Sequence, residues 1–202
     1  MQLSYSPTSP YVRKCHATIL HHGLEARFDL VSAAPTDEAS GYRAINPFSK
    51  VPALILEDGT VLVESPVIAD FIDHLGEGEK LFPVEPKARV AALRLLGYGD
   101  NLTDIAVAMM QEGKRKDCEQ SAYWLERWQR GIDAGLDRLD READDWAGRL
   151  DIGLISIGAA LGYLDFRFPG TDWRAEHPAL ADWFETFGER PVMARTQPQS
   201  PA

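Results

Sequence analysis

The amino-acid sequence predicts a small α/β domain followed by an all-α domain within 202 residues. Over residues 1–76, short apolar segments switch between strand and helix spacing, and after residue 87 only helical spacing remains. The two parts are joined by GEGEKLFPVEP, which is rich in Gly, Pro and Glu and is typical of a linker. We therefore predict domains at 1–76 and 87–202, with a linker at 77–86.

The N-terminal part predicts the element order βαβαββα. QLSY and ARFDLV are typical of strands, and the apolar spacing between them indicates a helix over residues 10–22. A weakly helical segment covers 36–44. ALIL and VLV then flank Asp58-Gly59, a pair that favours a type I′ hairpin turn. A second helix is predicted over 66–75, where Gly76 ends the apolar spacing.

The C-terminal part predicts a bundle of helices. Two long helices are expected over residues 87–112 and 119–145, and a final one over 178–188. IGLISIGAALGYLDF, residues 152–166, is apolar on nearly every face, which is typical of a helix buried inside a bundle and too short to cross a bilayer. We expect the tail TQPQSPA to be disordered.

Composition excludes several classes of partner. The net charge of −10 argues against nucleic acid or an anionic membrane, because both attract basic surfaces. We see no signal-peptide pattern and no metal-ligand cluster, so we predict a cytoplasmic protein without a metal. Cys15 and Cys118 lie far apart, which fits a reduced protein without disulfides. Cys15 falls on an apolar helix stripe and is expected in the core.

The first Ser-Pro pair predicts a helix start that can hold an anion. Ser9 suits the N-cap and Pro10 the first helical position. Lowering a thiol pKa by about two units needs roughly 2.7 kcal/mol, and a hydrogen bond to a charged group contributes about 1.5–3 kcal/mol. Ser9 can therefore stabilise a bound thiolate, although it can equally act only as a cap. Ser6, Thr8, Tyr5 and Tyr11 are the nearby alternatives, and of these Tyr5, near the end of the first strand, is expected to pack in the protein.

Basic residues follow Ser9 along the same predicted helix. Arg13 and Lys14 fit a solvated helix face, where Arg13 can add positive potential one turn from the helix start.

The second Ser-Pro pair repeats this arrangement. Ser65 precedes Pro66, and Glu64 stands directly before it. A carboxylate can accept hydrogen bonds from an ammonium group, and a helix start can hold a carboxylate. Together Glu64 and Ser65 can bind an amino-acid head group, although an acidic residue before a serine cap is also common in helices without a ligand.

A proline lies between the two helix starts in the segment NPFSKVPAL. If the Val51-Pro52 bond is cis, Val51 keeps an unpaired N–H and C=O that can bind an extended peptide, with Lys50 beside them as a cation. The alternative is a trans proline at the first position of a strand.

Taken together, SPTSPYVRK, NPFSKVPAL, DGTVLVESPVIADFI and ALGYLDFRF resemble the cytosolic glutathione S-transferases, in order and spacing, over nearly the whole chain. The resemblance, closest to bacterial members of the serine type, implies a thioredoxin-like domain followed by a helical domain. It implies that Ser9 activates the glutathione thiol and that Val51, before a cis Pro52, binds the cysteinyl backbone. Glu64 and Ser65 match the positions that hold the γ-glutamyl end.

The resemblance also implies a reaction and an assembly. Glutathione, as co-substrate, attacks a small apolar electrophile, and the protein is a homodimer. Asp100, or alternatively Asp104, reaches the neighbouring subunit's site, unless it only lies on a solvated helix face. Tyr98, Met109, Met110 and Tyr163 are candidates for the electrophile pocket, although core packing explains them equally well.

One stretch departs from the family pattern. The buried helix usually begins with Ser/Thr-x-x-Asp, and here the stretch is DIGL, with Asp151 as the cap and Leu154 in place of the second acid. Gly153 is expected to add flexibility. Two alternative functions stay open: a binding or regulatory protein without turnover, and a related isomerase, dehalogenase or peroxidase. The isomerase, dehalogenase and peroxidase share the residues that activate glutathione, so only substrate profiling separates them.

Overall fold

A computed structural model describes residues 1–199 and confirms the α/β part, except that the segment predicted to be weakly helical over 36–44 forms only two 3-10 turns, Glu38–Ser40 and Tyr42–Ala44. Gly41, with a φ of 71°, separates the two turns and prevents a continuous helix. Its sheet has the order β2-β1-β3-β4, with β1 parallel to β2 and antiparallel to β3, and β3 antiparallel to β4. The strands are β1 Gln2–Tyr5, β2 Asp29–Ser32, β3 Ala53–Ile55 and β4 Val61–Val63. The helices are α1 Pro10–His21 and α2 Ser65–Leu75.

The core of this part lies between the sheet and the two helices. Helix α1 contributes Cys15 and Ile19, and α2 contributes Ile68 and Ile72. These residues recur at intervals of four, so each helix buries one stripe against the strands. The predicted helical spacing therefore identified the correct buried faces.

The C-terminal part is helical, as predicted. Its helices are α3 Pro86–Glu112, α4 Ala122–Asp140, α5 Ile152–Arg167, α6 Trp173–Glu176, α7 Pro178–Gly188 and α8 Pro191–Ala194. Helix α5 is buried without interruption over residues 152–164. The sequence did not predict the four-residue helices α6 and α8, which are too short to show a helical period. None of the helices in residues 1–199 is long and apolar enough to cross a bilayer.

Gly153 has a different role from the predicted one. A β-carbon at this position would lie 2.4 Å from the Ala92 carbonyl oxygen and 2.6 Å from Leu95 Cβ. The absence of a side chain therefore allows α5 to approach α3 closely. Asp151 does cap α5, accepting a hydrogen bond from the Leu154 N–H at 3.0 Å.

The β3–β4 hairpin turn is not the predicted type I′. Only Gly59 has a positive φ, of 86°, and its N–H bonds to the Leu56 carbonyl at 3.1 Å. This is a type I turn followed by a left-handed glycine, which closes a three-residue loop. Asp58 stabilises it by accepting a hydrogen bond from the Thr60 N–H at 2.9 Å.

The predicted linker is held firmly against the protein. The Asp73 carboxylate at the end of α2 accepts hydrogen bonds from the N–H groups of Leu81, at 2.8 Å, and Phe82, at 3.1 Å. Both apolar side chains are buried. Whether residues 1–76 and 87–202 behave as separate domains remains a prediction.

Two expectations about surface residues are wrong. Arg13 and Lys14 are buried where α1 meets the helical part, because α1 lies against α5. Arg13 donates to the carbonyls of Gly158 and Met193, at 3.3 and 3.1 Å. Burial lowers the pKa of Arg13 to about 10.

The tail is also more ordered than expected as far as it is described. Thr196 is buried and donates to the Val192 carbonyl at 2.7 Å, and the Gln199 N–H bonds to the Pro7 carbonyl at 3.2 Å. Residues 200–202 of the predicted disordered tail lie outside the described residues.

Candidate functional site at the sheet edge

The strand register brings the three predicted segments to one edge of the sheet. Ala53 pairs with Val63, so the residues just before β3 lie beside the residues just after β4. Leu3 pairs with Leu54 in the antiparallel direction, so the loop that follows β1 emerges at the same edge. Val51-Pro52, Glu64-Ser65 and the loop leading to Ser9 are therefore neighbours.

Ser9 begins α1 as predicted. Its Oγ accepts a hydrogen bond from the Val12 N–H at 3.3 Å, and its own N–H bonds to the Ser6 carbonyl at 3.1 Å. Within residues 1–199 the hydroxyl hydrogen of Ser9 has no acceptor, and the side chain is half-buried. Ser9 thus caps the helix with its lone pair and keeps its proton available for an anion at the helix start.

The alternative residues contact one another or other groups of the chain. The hydroxyl oxygens of Ser6 and Thr8 face each other at 3.4 Å. The ring of Tyr5 packs edge-on against His16, with the centroids 6.1 Å apart. Tyr5 therefore packs in the protein, as the sequence suggested.

The Val51-Pro52 peptide bond is cis. Strand β3 begins only at Ala53, and within the described chain neither the N–H nor the C=O of Val51 has a hydrogen-bond partner. Both groups are available to a peptide-like ligand. Lys50 is exposed beside them, and its ammonium has no partner in residues 1–199.

Sequence reasoning missed the residues that fix this loop. Asn46 Nδ2 donates to the Lys50 carbonyl at 2.7 Å, and Tyr42 Oη donates to the same oxygen at 3.1 Å. Asn46 Oδ1 also accepts from the Phe48 N–H at 3.1 Å. Both anchors are buried. The Asn-Pro pair at 46–47 is a turn signal that points to the first anchor, whereas no local signal indicates Tyr42.

Glu64 and Ser65 stand at the start of α2. Glu64 has φ 71° and ψ 123°, a conformation that side chains with a β-carbon rarely adopt. Its carboxylate is exposed, caps nothing and has no partner within residues 1–199. Ser65 is 3% exposed, and its hydroxyl bonds to no group of the described chain. Polar atoms of both residues are therefore available to a ligand.

The distance between the two helix starts suits a short extended ligand. The Cys15 thiol donates to the Ser65 carbonyl at 3.5 Å, which places the middle of α1 against the start of α2. Ser9 lies six residues earlier, or about 9 Å along α1. Three extended residues span about 10 Å, which matches this separation.

The helical part forms a wall above Ser9. Tyr11 donates a hydrogen bond to Asp104 on α3. Burial, followed by this contact with Asp104, raises the pKa of Tyr11. Tyr163 is buried on α5 directly after Gly162, which lies against the Arg13 guanidinium of α1.

The other pocket candidates lie elsewhere. Tyr98 packs against the helical core, with the Arg94 guanidinium 5.7 Å from its ring centroid. Met109 lines a cavity of about 410 Å³ between α4, α5 and α6, together with residues such as Leu136 and Trp173. Ser9 does not line that cavity. Met110 is half-buried on α3.

Asp100 has partners in its own chain. Its carboxylate pairs with the buried ammonium of Lys14 and accepts from Ser156 Oγ at 2.8 Å. Asp104 is exposed and bound by Tyr11. Contact of Asp100 with a second subunit stays a prediction. Such a contact would have to form while Asp100 also binds Lys14 and Ser156 of its own chain.

The cysteines are not placed for catalysis at Ser9. Burial raises the pKa of Cys15 to about 12, and Cys118 is exposed just before α4. Within residues 1–199, no three His, Cys, Asp or Glu side chains are grouped so as to hold a metal ion.

The fold and the site together define a class of protein: a thioredoxin-like domain, with a cis-proline loop between two helix starts, followed by a helical domain. The chain belongs to the glutathione S-transferase family. Residues 8–75 match the family's N-terminal domain and residues 122–186 its C-terminal domain. An uncharacterized GST-like protein of Escherichia coli K12, YibF, is 30% identical over 201 residues, which cover 98% of each chain.

Solved structures agree with this assignment. A glutathione transferase family member from Pseudomonas fluorescens Pf-5 with bound glutathione is 34% identical, with a TM-score of 0.93 and 98% and 99% of the two chains covered. A second Pf-5 structure has bound S-(propanoic acid)-glutathione. It is 35% identical, with a TM-score of 0.91 over 99% of this chain and 100% of the other.

Proposed function

We propose that the protein is a glutathione transferase in which Ser9 donates a hydrogen bond to the thiolate of bound glutathione. The observation that carries the proposal is the unused hydroxyl hydrogen of Ser9 at the start of α1, within residues 1–199. A hydrogen bond to a charged group contributes about 1.5–3 kcal/mol, and a helix start about 0.3–1 kcal/mol. Their sum of about 1.8–4 kcal/mol brackets the roughly 2.7 kcal/mol that lowers a thiol pKa from about 8.5 to near 6.5.

The remaining available groups accommodate the rest of the tripeptide. The unpaired N–H and C=O of Val51 bind the cysteinyl backbone as an added strand. Glu64 accepts from the γ-glutamyl ammonium, and Ser65 with the start of α2 binds the γ-glutamyl carboxylate. Lys50 provides a cation beside the backbone site. The relatives with bound glutathione support this placement.

The second substrate is a small electrophile that binds between Ser9 and the helical wall. Activation lowers the thiol pKa and requires no proton-accepting side chain. Both cysteines are free, which fits a reducing cytoplasm. In such a compartment glutathione is also kept in its reduced, thiol form. Exposed apolar side chains on α2 and α3, namely Val67, Val90 and Leu93, support a homodimer. Sedimentation at micromolar concentration measures that state directly.

The test combines binding and turnover. Calorimetry measures glutathione affinity, and release of chloride from 1-chloro-2,4-dinitrobenzene measures conjugation. We expect Ser9→Ala to slow conjugation at least tenfold at pH 7, with a much smaller loss above pH ~9, where the free thiol ionises unaided. Ser6→Ala is the matched control and should keep the wild-type pH profile.

Two outcomes contradict the proposal. If Ser9→Ala conjugates as fast as wild type at pH 7, Ser9 is only a helix cap and the thiol is activated elsewhere. If wild type binds glutathione but conjugates no electrophile of a broad panel, the protein is a binding or regulatory member of the family.

A further inference from the structure

Two contacts fix the direction of α1 against α3. Lys14 pairs with Asp100, and Tyr11, three residues earlier, bonds to Asp104, four residues later. The two helices are therefore antiparallel. The end of α1 that carries Ser9 therefore lies toward the C-terminal end of α3.

Helix α5 runs in the same direction as α3. Gly153 lies against Leu95, and Ser156 donates to Asp100 at 2.8 Å. The C-terminal end of α5 is consequently at the Ser9 end of the contact between the two parts of the protein. Arg167 is the last residue of α5.

Tyr163 and Arg167 share the face of α5 that carries Ser156. They follow Ser156 by seven and eleven residues, which at 3.6 residues per turn returns both to within about 20° of its direction. Arg167 lies one turn, or about 6 Å, beyond Tyr163. Along α5, Arg167 therefore lies beyond the contact between Tyr11 and Asp104, on the side where α1 begins.

The guanidinium of Arg167 is positioned by aromatic side chains, including the phenol of Tyr163, and has no carboxylate partner within residues 1–199. Its central carbon lies 4.7 Å from the Phe166 ring centroid and 5.7 Å from that of Tyr163. Its Nε is buried without a hydrogen-bond partner, and no carboxylate of residues 1–199 is within ion-pairing distance.

We propose that Arg167 binds a carboxylate on the electrophile, so the second substrate is a small electrophile with an apolar or aromatic body and an anionic end. This inference rests on the proposed transfer of glutathione at Ser9. The planar guanidinium matches a carboxylate with two parallel hydrogen bonds, and the rings beneath it hold its plane in place. Phe166, which is half-buried, provides aromatic surface for the body of the substrate.

Conjugation of a chloronitrobenzoate illustrates the step. The glutathione thiolate, whose proton has passed to solvent, attacks the ring carbon that bears chlorine. The C–S bond forms, the C–Cl bond breaks, and chloride leaves with the bonding electron pair. Arg167 takes no part in these bond changes. It orients the ring by binding the carboxylate of the substrate.

Arg167 also has a purely structural interpretation. A basic residue in the last turn interacts favourably with the helix C-terminus, and stacking on Phe166 can stabilise the fold. In that case substitution changes stability and leaves the choice between anionic and neutral substrates unchanged.

The experiment uses a matched pair of electrophiles, 4-chloro-3-nitrobenzoate and 4-chloro-3-nitrobenzamide, with full-length wild type and Arg167→Gln. We expect Arg167→Gln to lower kcat/KM at least tenfold for the benzoate and less than twofold for the benzamide. Arg127→Gln is the control. Arg127 lies on α4, and its guanidinium carbon is 6.0 Å from the centroid of the Trp124 ring. Its substitution removes the same charge from a stacked arginine at a different place, so it tests the effect of net charge alone.

Binding of the two glutathione conjugates, measured by calorimetry, repeats the comparison without turnover. Tighter binding of the carboxylate conjugate that is lost in Arg167→Gln supports the inference, even if wild type conjugates neither electrophile and the proposed activity fails. Equal losses for the acid and the amide, or no loss for either, overturn the inference while leaving the proposed activity intact.

Discussion

Lys14 of α1 and Asp100 of α3 form an ion pair across the contact between the α/β part and the helical part. The Lys14 side chain is 2% exposed and that of Asp100 is 23% exposed. Ser156 donates a further hydrogen bond to the same carboxylate oxygen. The start of α1, and with it Ser9, is therefore tied to the helical part by a buried charge.

This pair predicts a large effect of single substitutions. Lys14→Met leaves the Asp100 carboxylate without its cation and should lower the free energy of unfolding by about 2–4 kcal/mol, because half of a buried pair is an uncompensated charge. Lys14→Met combined with Asp100→Leu should recover part of that loss. Urea unfolding of the two single variants and the double variant measures the coupling, and purely additive effects would show that the pair contributes nothing.

The start of α2 predicts a loss of ligand affinity without a loss of fold. Replacing Glu64 and Ser65 together by alanine removes two available polar groups, so retention on immobilised glutathione should fall at least tenfold. Circular dichroism should be unchanged. Glu57→Ala, in the β3–β4 turn, is the control with the same change of charge. Wild-type retention of the double variant would contradict the assignment of the γ-glutamyl subsite.

The cysteines predict selective modification. At pH 8 one thiol per chain should react with a disulfide reagent in the native protein, because Cys118 is exposed and Cys15 is buried. With its pKa raised to about 12 by burial, Cys15 is thiolate in roughly one molecule in ten thousand. The second thiol should react only after unfolding. Fast native reaction of both thiols, followed by mass spectrometry, would contradict this burial.

The same shift predicts a pH dependence of stability. In the unfolded chain the Cys15 thiol ionises near pH ~8.5, whereas in the folded protein it stays protonated up to about 12. The unfolded state therefore loses a proton first as pH rises, and the contribution of Cys15 to stability declines over this window. Cys15→Ala should show a flatter decline in the free energy of unfolding between pH 8.5 and 10.

Gly153 predicts a steric penalty. Gly153→Ala places a methyl group 2.4 Å from a backbone oxygen of α3, so it should destabilise the protein by about 1–3 kcal/mol in spite of alanine's higher helix propensity. Gly188→Ala, at the end of α7 with open space around it, should be neutral or stabilising by up to about 1 kcal/mol. Thermal unfolding of both variants tests the difference, and a stabilising Gly153→Ala would show that α5 can move away from α3.

Much of the candidate site could be predicted because its signals are local. Ser9 and Ser65 begin helices through the chemistry of their own side chains and the prolines that follow them. The fixing of the Lys50 loop by Tyr42 could not be predicted, since it depends on how the loop folds back on a 3-10 turn eight residues earlier.

The sequence by itself determined the order of the four strands and of the longer helices, the two helix starts and the buried stripes of α1 and α2, because each depends on residues within a few positions of one another. Only the tertiary structure decided the roles of Arg13, Lys14 and Gly153. Lys14 meets its partner 86 positions away, and a basic residue on a helix looks the same in sequence whether water or another helix faces it. Burial and charge pairing are properties of the packed contact between the two parts of the chain, and no local pattern encodes them.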